Sequence, residues 1–502
     1  MTSIIPDTDV MPVGSYPKTG IDVLIVGTGL AGLTAAIESV RKGHNVQVLE
    51  RDSDINNSGD MFFMGHSAVK FFRHWPEMAR EYDRVSLRDA FMETRRHSGE
   101  VAIPPSKASD FIRVPGMDPK SPPGSFQLRP AIYKLFVHQL ERLGIKVQFG
   151  KRVVDYYEDE SRGKATAVTD KGESFEADVI IAADGIGSKS QKLVGGAVRA
   201  INSGREMWRA IVPWSLLEDS PEISEGFALA QTDETDGTIA RPWLGPGTYA
   251  MTLRLPDSVI WLINHESTGS SEENWHNYIE PAEVLANMDN GTGGVPWAPA
   301  FKELVRRTPQ NTIVNFALNW RDPQPSWASP GGRVVNIGDA AHSYMPTSGN
   351  GATQAMEDAV SLVTCLQIGG KDNIPQSVRA HVRFRFVRTA CIQKLGIANG
   401  KNFMNTNWEK VKVNPKHIQP RLPPWIWTHD PEAHAYEYYN QMVQTMKDDV
   451  PLLEIDPNII PPNYPVGHKY EPWSILDLMK DIKNGKDVNL GSGDWQLLPT
   501  HV

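Results

Sequence analysis

The residues in this chain best suited to bind and polarise a ligand are glycines set at fixed spacings, each group followed or closed by a carboxylate. Gly27-Thr28-Gly29-Leu30-Ala31-Gly32 follows the apolar run Ile21 to Val26 and leads into Leu30 to Arg41, where apolar residues recur at helical spacing. In that setting the first glycine permits a tight turn and the second lets the backbone approach a pyrophosphate. The third brings helix and strand together, and the helix N-terminus faces the phosphates. Glu50 closes a second strand, Asn45 to Leu49, where it is placed to accept hydrogen bonds from ribose hydroxyls. This is a βαβ unit of about 30 residues, and by itself it leaves the dinucleotide open.

Two further signatures narrow the choice. Ala183-Asp184-Gly185 follows the buried-strand pattern Asp178 to Ala182, and Gly338-Asp339-Ala340-Ala341-His342 lies in the second half. The latter is extended by Pro346-Thr347-Ser348-Gly349-Asn350-Gly351-Ala352, a turn of small residues entering the helical stretch Thr353 to Thr364. Amides at such a turn, backed by a helix N-terminus, would stabilise negative charge on a flat heteroaromatic ring. NAD, NADP and FAD share the first motif. A plain dehydrogenase needs neither of the other two, and the set points to FAD.

The elements that must position these groups form more than one core. At 502 residues the chain exceeds the about 250 to 300 residues at which single cores stop growing. Residues 1 to 20 read as a loose, proline-bearing leader. A helix is expected at Pro130 to Leu143 and a strand at Lys146 to Phe149, so the nucleotide-binding sheet is discontinuous in sequence. Tyr249 to Leu255 and Ser258 to Asn264 flank a Pro256-Asp257 turn and predict a hairpin in an inserted sheet, a natural wall for a substrate cavity. After Gly351 the pattern is helical to about Phe403, and a tail rich in proline and tryptophan follows, as in Pro420 to Trp427, which should wrap the surface. The expected division is 21–198 and 319–403 for two parts of a cofactor domain, 199–318 for the inserted sheet and 404–502 for the tail.

Charge and composition exclude several classes. Acidic residues outnumber basic ones by 60 to 51, and a net charge of -9 disfavours nucleic acid and anionic membrane surfaces. The apolar stretch Ile21 to Val40 contains Asp22, glycines and Glu38 and is no membrane span. Cys365 and Cys391 are the only cysteines, without metal-type spacing, so reduced thiols in a soluble, cytoplasmic protein are expected. The triplets at Asn56 and Asn290 fit a glycosylation sequon that matters only in a secreted chain.

Over roughly residues 21 to 400 the sequence resembles the group A flavoprotein monooxygenases, the family of para-hydroxybenzoate hydroxylase and salicylate hydroxylase, and within it fungal enzymes that tailor aromatic or indolic natural products. The resemblance implies an α/β fold with a Rossmann-like (GR2-type) FAD-binding domain, discontinuous in sequence, an inserted β-sheet substrate domain and C-terminal helices. It implies that Gly27, Gly29, Gly32, Glu50 and Arg51 serve the adenosine diphosphate half of FAD, with Arg129 and Val153 also on the cofactor. Asp184 would hold the flavin side and share its turn with transient NAD(P)H, and Asp339 would contact the ribityl chain. Pro346, Gly349, Asn350, Gly351 and Ala352 would lie against the isoalloxazine ring. The chain departs from the pattern at Ser343-Tyr344-Met345, at Asn350 between two glycines, and at Gly59-Asp60-Met61-Phe62-Phe63-Met64, where bulk replaces a glycine-rich turn.

The same resemblance makes Arg209, in Glu206-Met207-Trp208-Arg209, the expected catalytic cation. A guanidinium stabilises a phenolate or a developing alkoxide without losing its own charge. The alternative is a strand arginine paired with an acid such as Glu206. Tyr249, on the hairpin, is a candidate for binding a substrate hydroxyl or carrying a proton, or else a packing residue, while His265 and His342 read as structural. The implied reaction uses NADPH or NADH and O2 to form a flavin C4a-hydroperoxide, which hydroxylates or epoxidises a hydrophobic aromatic or indolic small molecule. Two other readings stay open. One is a flavin-dependent halogenase, although Trp-x-Trp-x-Ile-Pro is absent and Trp425-Ile426-Trp427 does not substitute for it. The other is a catalytically silent flavin-binding redox module.

Overall fold

In the computed structural model, residues 16–54, 59–87, 90–107, 124–194, 200–267, 269, 277–290 and 294–497 are described. Most of the leader, Asn56 and the Asn290 side chain lie outside them. The first glycine motif leaves Asp22–Val26, which sits in the middle of a five-stranded parallel sheet. Across that sheet run Val334–Asn336, Val179–Ala182, Asp22–Val26, Asn45–Leu49 and Val147–Gln148. Ile25 pairs with Ile181 and Val48, so the inner strands are apolar on both faces, as a sheet covered by helices requires. Leu30–Arg41 packs between Arg129–Arg142 and Gly351–Gly369. This is the Rossmann-like layer expected from the sequence, and its three glycine signatures all lie at the carboxyl ends of parallel strands.

The second sheet has eight strands, and Phe91–Arg96 and Val101–Lys107 form one edge of it although they fall within the stretch expected to belong to the cofactor domain. Phe91–Arg96 runs parallel to Ile239–Gly245, and a parallel pairing between distant runs leaves no local signal in sequence. The expected hairpin is Thr248–Leu255 with Ser258–Glu266, and Ile201–Pro213 pairs antiparallel beside it. One face of this sheet, bearing Trp243 and Trp261, packs on Phe301 of the helix Pro299–Arg306, and the other faces a cavity.

The helical run after Gly351 is two helices. Gly370, at φ 71° and ψ 179°, ends Gly351–Gly369, and Ile374–Met404 begins after a short turn. The tail carries a 17-residue helix, Pro431–Lys447, capped by Asp430 through the amides of Glu432 and Ala433. That helix docks through Glu432, which takes Lys42 at 2.6 Å and Arg41, and it covers Gly351–Gly369. Among the described residues no helix is long and apolar enough to cross a membrane.

Candidate functional site

The first glycine turn shows why each glycine is needed. Gly27 adopts φ 100° and donates its amide to Leu49 O at 2.8 Å, and a Cβ there would stand 2.4 Å from Ala183 O. A Cβ on Gly32 would lie 2.0 Å from Gly27 O, whereas one on Gly29 would meet no heavy atom within 4 Å. Packing therefore dictates the first and third glycines. The second leaves clear approach to a helix N-terminus, the arrangement an anion needs. Glu50 is clamped: one oxygen accepts from Thr28 N at 2.9 Å and Thr28 Oγ1 at 2.5 Å, the other from Asp52 N at 3.0 Å. The Thr28 hydroxyl also meets Tyr133 Oη at 2.7 Å.

The other expected cofactor residues are distributed around this turn. Arg51 is exposed and lies 3.7 Å from Asp52. Arg129 begins its helix, donates its amide to Asp60 O at 2.8 Å and stands over the Tyr133 ring at 5.8 Å. Val153 is buried with Val26 and Leu49 at the start of a strand.

The three signatures meet in space. Gly27 abuts Ala183, and a Cβ on Gly338 would lie 3.1 Å from Ala31 Cβ, inside the first helix. Asp184 accepts from Tyr156 Oη at 2.9 Å, and burial raises its carboxyl above the ordinary range. Asp339 presents its carboxylate to the cavity and has no hydrogen-bond partner among the described residues. Asp339 is exposed on the cavity wall; desolvation by the protein around it raises its pKa against the pull of His342, with Asp358 acting in the same direction as desolvation. Behind it, Asp358 accepts from Gly338 N at 3.0 Å, His342 at 2.6 Å and Arg385 Nε at 2.7 Å. Burial works to raise that carboxyl, but His342 and Arg385 outweigh it and hold Asp358 far below the usual range. His342 is thus structural, as is His265, which stacks on Trp208 at 3.6 Å.

Pro346–Ser348 is a short 3-10 turn ending at Gly349, φ 59°, and Gly351 opens the following helix. The departure at Asn350 has a local function: its side chain donates to Ser348 O at 2.6 Å, and its amide donates to Ser348 Oγ at 3.1 Å. Gly349 to Ala352 and Asp339 form one wall of a cavity of about 440 Å³. Met61, Phe62 and Phe63, the bulk that replaces a glycine-rich turn, form part of its lining. The second sheet supplies another wall, including Met207, Arg209, Tyr249, Met251 and Phe316.

Arg209 and Tyr249 share that sheet face. Tyr249 lies in the row of Asn264 and Met207, and Arg209 in the next row of the same face, with Leu262 and Met251. The partner of Arg209 differs from the acid expected. Glu206, three residues earlier on a strand, points to the opposite face and binds Ser267 at 2.5 Å and Asn315 at 3.2 Å. Arg209 is instead gripped by buried Asp60, Nε to Oδ2 at 2.6 Å and Nη2 to Oδ1. Such a two-point pair fixes the plane of the guanidinium. Tyr249 is buried, which raises its phenol pKa, and it packs edge-on to Phe403 at 6.0 Å. Asp60 and the cavity residue Asn319 were missed by sequence reasoning, because no local pattern links position 60 to position 209.

This donor set fits FAD. Open approach at Gly29 suits the pyrophosphate, clamped Glu50 the ribose and unpartnered Asp339 the ribityl hydroxyls, while the small-residue turn borders a space broad enough for the ring.

Comparison with known proteins agrees. The profile of the FAD binding domain family matches residues 20–303 and 326–370. FAD-dependent monooxygenase fsr3 of Gibberella fujikuroi is 37% identical over 96% of this chain and 90% of its own. FAD-dependent monooxygenase dmxR9 of Cryptosporiopsis sp. is 37% identical over 96% and 91%. Among solved structures, CtdE in complex with FAD and a substrate aligns with TM-score 0.75 at 27% identity, covering 85% of this chain and 100% of that one. A salicylate hydroxylase substrate complex aligns with TM-score 0.63 at 21% identity, over 85% and 98%, and shares the fold.

Proposed function

The chain belongs to the FAD-dependent monooxygenases, and we propose that it inserts one oxygen atom into an aromatic or indolic small molecule of secondary metabolism, with NADPH or NADH as reductant. Family membership supports an oxygenating enzyme over the open alternatives, halogenase and silent flavoprotein. When bound, FAD would supply the redox chemistry, with two electrons from the nicotinamide and O2 consumed so that one oxygen atom enters the substrate and the other leaves as water.

In this reading the chain's own residues bind, orient and exclude. The amides of the Gly349–Ala352 turn would stabilise negative charge on the ring, and Asp339 would hold the ribityl chain. Met61, Met251 and Phe316 enclose the substrate in an apolar chamber that keeps water from the reacting centre. Arg209 donates to an oxygen of the substrate on which negative charge grows. Asp60 keeps its guanidinium in plane and neutralises its charge in the resting state, so that an uncharged substrate enters without displacing a counter-ion.

The observation that carries the proposal is that a single cavity is walled on one side by the flavin turn and on another by the sheet bearing Arg209. Screening aromatic and indolic metabolites for stimulated NAD(P)H oxidation under 18O2, with mass analysis of products, tests it. The expected product gains one labelled atom, and a stimulated reaction whose products carry no label removes the proposal.

A further inference from the structure

We infer that the C-terminal strap, residues 415–422, is the wall that sets which substrates fit, and that Asn399 is the positioning residue that locks this wall to the flavin turn. The inference rests on the cavity being the substrate chamber. Phe403, Ile418, Pro420 and Leu422 line that cavity, although all four lie beyond the stretch that the family profile matches. Ile418 is buried in the same apolar cluster as Met61, Leu244 and Tyr249, with Leu422 packed against it. The described strap residues on the chamber wall thus present hydrocarbon, while polar groups such as Arg209, Asn319, Tyr249 and Asp339 come from other elements. A ligand matching both would carry one polar edge and a broad apolar body.

One face of Ile374–Met404 holds the strap and the flavin turn together. Gly396, Asn399 and Gly400 stand at i, i+3 and i+4, a single side of the helix. At Gly396 an added Cβ would be 2.7 Å from Ser348 Cβ, and its carbonyl accepts from Thr347 Oγ1 at 2.7 Å. Gly400 likewise faces the Thr347 side chain, with 3.0 Å between its ideal Cβ and Thr347 Oγ1. The helix therefore gives up side chains where the flavin turn sits on it.

Between these glycines the buried Asn399 accepts from Arg421 N at 2.9 Å and donates through Nδ2 to Arg421 O and Thr347 O, each at 3.4 Å. Asn402, one turn on, donates to His417 O at 2.7 Å. The strap is pinned at both ends by asparagines, and only Asn399 also reaches the flavin turn. A backbone fixed by side-chain amides keeps its place when its own side chains are trimmed, so the cavity outline there is set by residues 418, 420 and 422.

The test uses FAD-loaded enzyme titrated with phenol, 2-naphthol and 2-hydroxyanthracene, following perturbation of the visible flavin spectrum. Wild type should discriminate along this series. Ile418→Ala and Leu422→Ala should shift the preference toward the largest phenol by about tenfold, the scale of a few methylenes in an apolar pocket. Asn402→Ala should blur the discrimination with FAD affinity unchanged, and Asn399→Ala should blur it and also weaken FAD severalfold, a split that loss of packing alone does not produce. Phe316→Ala, on the sheet wall, is the reference. If it alters phenol binding while both strap variants keep the wild-type ratios, the strap inference is overturned and the chamber stands. If none of the phenols perturbs the flavin in wild type or any variant, the chamber reading itself fails and the inference with it. Equal effects of Asn399→Ala and Asn402→Ala on FAD affinity would remove the positioning role.

Discussion

Replacing Gly29 by alanine separates ligand binding from folding. At φ −65° and ψ 176° the backbone there suits any residue, and the added methyl meets no heavy atom within 4 Å. Because Gly29 is the N-cap of its helix, alanine costs the folded apoprotein only roughly 0.5 kcal/mol, a shift in Tm of about 0.5 °C in a chain of 502 residues. The methyl nonetheless occupies the approach to the helix N-terminus. Losing one hydrogen bond from that terminus to a charged phosphate costs about 1.5–3 kcal/mol. At about 1.4 kcal/mol per tenfold, FAD should bind roughly 10- to 150-fold more weakly. Gly32→Ala is the contrasting variant, since its Cβ would lie 2.0 Å from Gly27 O and the βαβ turn must move. It should lose both stability and FAD. Apoprotein melting, with titration of FAD by quenching of flavin fluorescence, reads both quantities. A Gly29→Ala protein with wild-type FAD affinity would refute the reasoning.

Other perturbations address the remaining parts. Asp60→Asn removes the counter-charge that orients Arg209, and with charged hydrogen bonds worth about 1.5–3 kcal/mol, product formation should fall about ten- to a hundredfold in a protein that stays yellow; unchanged turnover contradicts the pairing role. Burial lowers His44, His66 and His434 to about 4 and His381 to about 3. Their folded values lie below the unfolded value of about 6.5, so the unfolded chain binds more protons in acid. The stability they contribute is complete above that value and lost as pH falls from about 6.5 toward about 4, on the order of 2 kcal/mol per group at about pH 5. Calorimetric melting across that range should show Tm falling steeply below about pH 6.5, and a flat profile contradicts it. Glu432→Gln leaves Lys42 without its buried counter-charge and Arg41 with Glu38 alone, at a cost of about 3 kcal/mol. Limited proteolysis should then cut near Pro431–Lys447 well before it cuts wild type, and equal rates would show that the clamp is dispensable.

What could be read from the sequence was what local chemistry dictates. Gly27 and Gly32 are required by contacts within one βαβ unit, and the hairpin around Pro256-Asp257 is closed by its own turn, so both are visible in a short window. The pairing of Arg209 with Asp60 joins residues 149 positions apart, one on a strand of the second sheet and one in the loop before Met61–Gly65, and alternation along the strand excludes Glu206 only once the cavity face is known. The recruitment of Phe91–Arg96 to the second sheet escapes notice for a similar reason, being a parallel contact across a long stretch of chain. Two features were present in the sequence yet unread. Asp430-Pro431-Glu432 is an N-cap followed by proline at the first helical position, which marks the helix of the tail, and Gly369-Gly370 marks the break between the two long helices. The cavity wall at 415–422 depends on asparagines of a helix that precedes it, which no pattern within the strap itself reveals.

The most direct measurement is a crystal structure of the protein loaded with FAD. The account predicts the pyrophosphate at the amides following Gly29, the ribityl chain on Asp339, and the isoalloxazine edge within about 3 Å of the Gly349 to Ala352 amides, with Arg209 across the same cavity. A flavin ring bound away from that turn, with the sheet wall bearing Arg209 outside its reach, would contradict it.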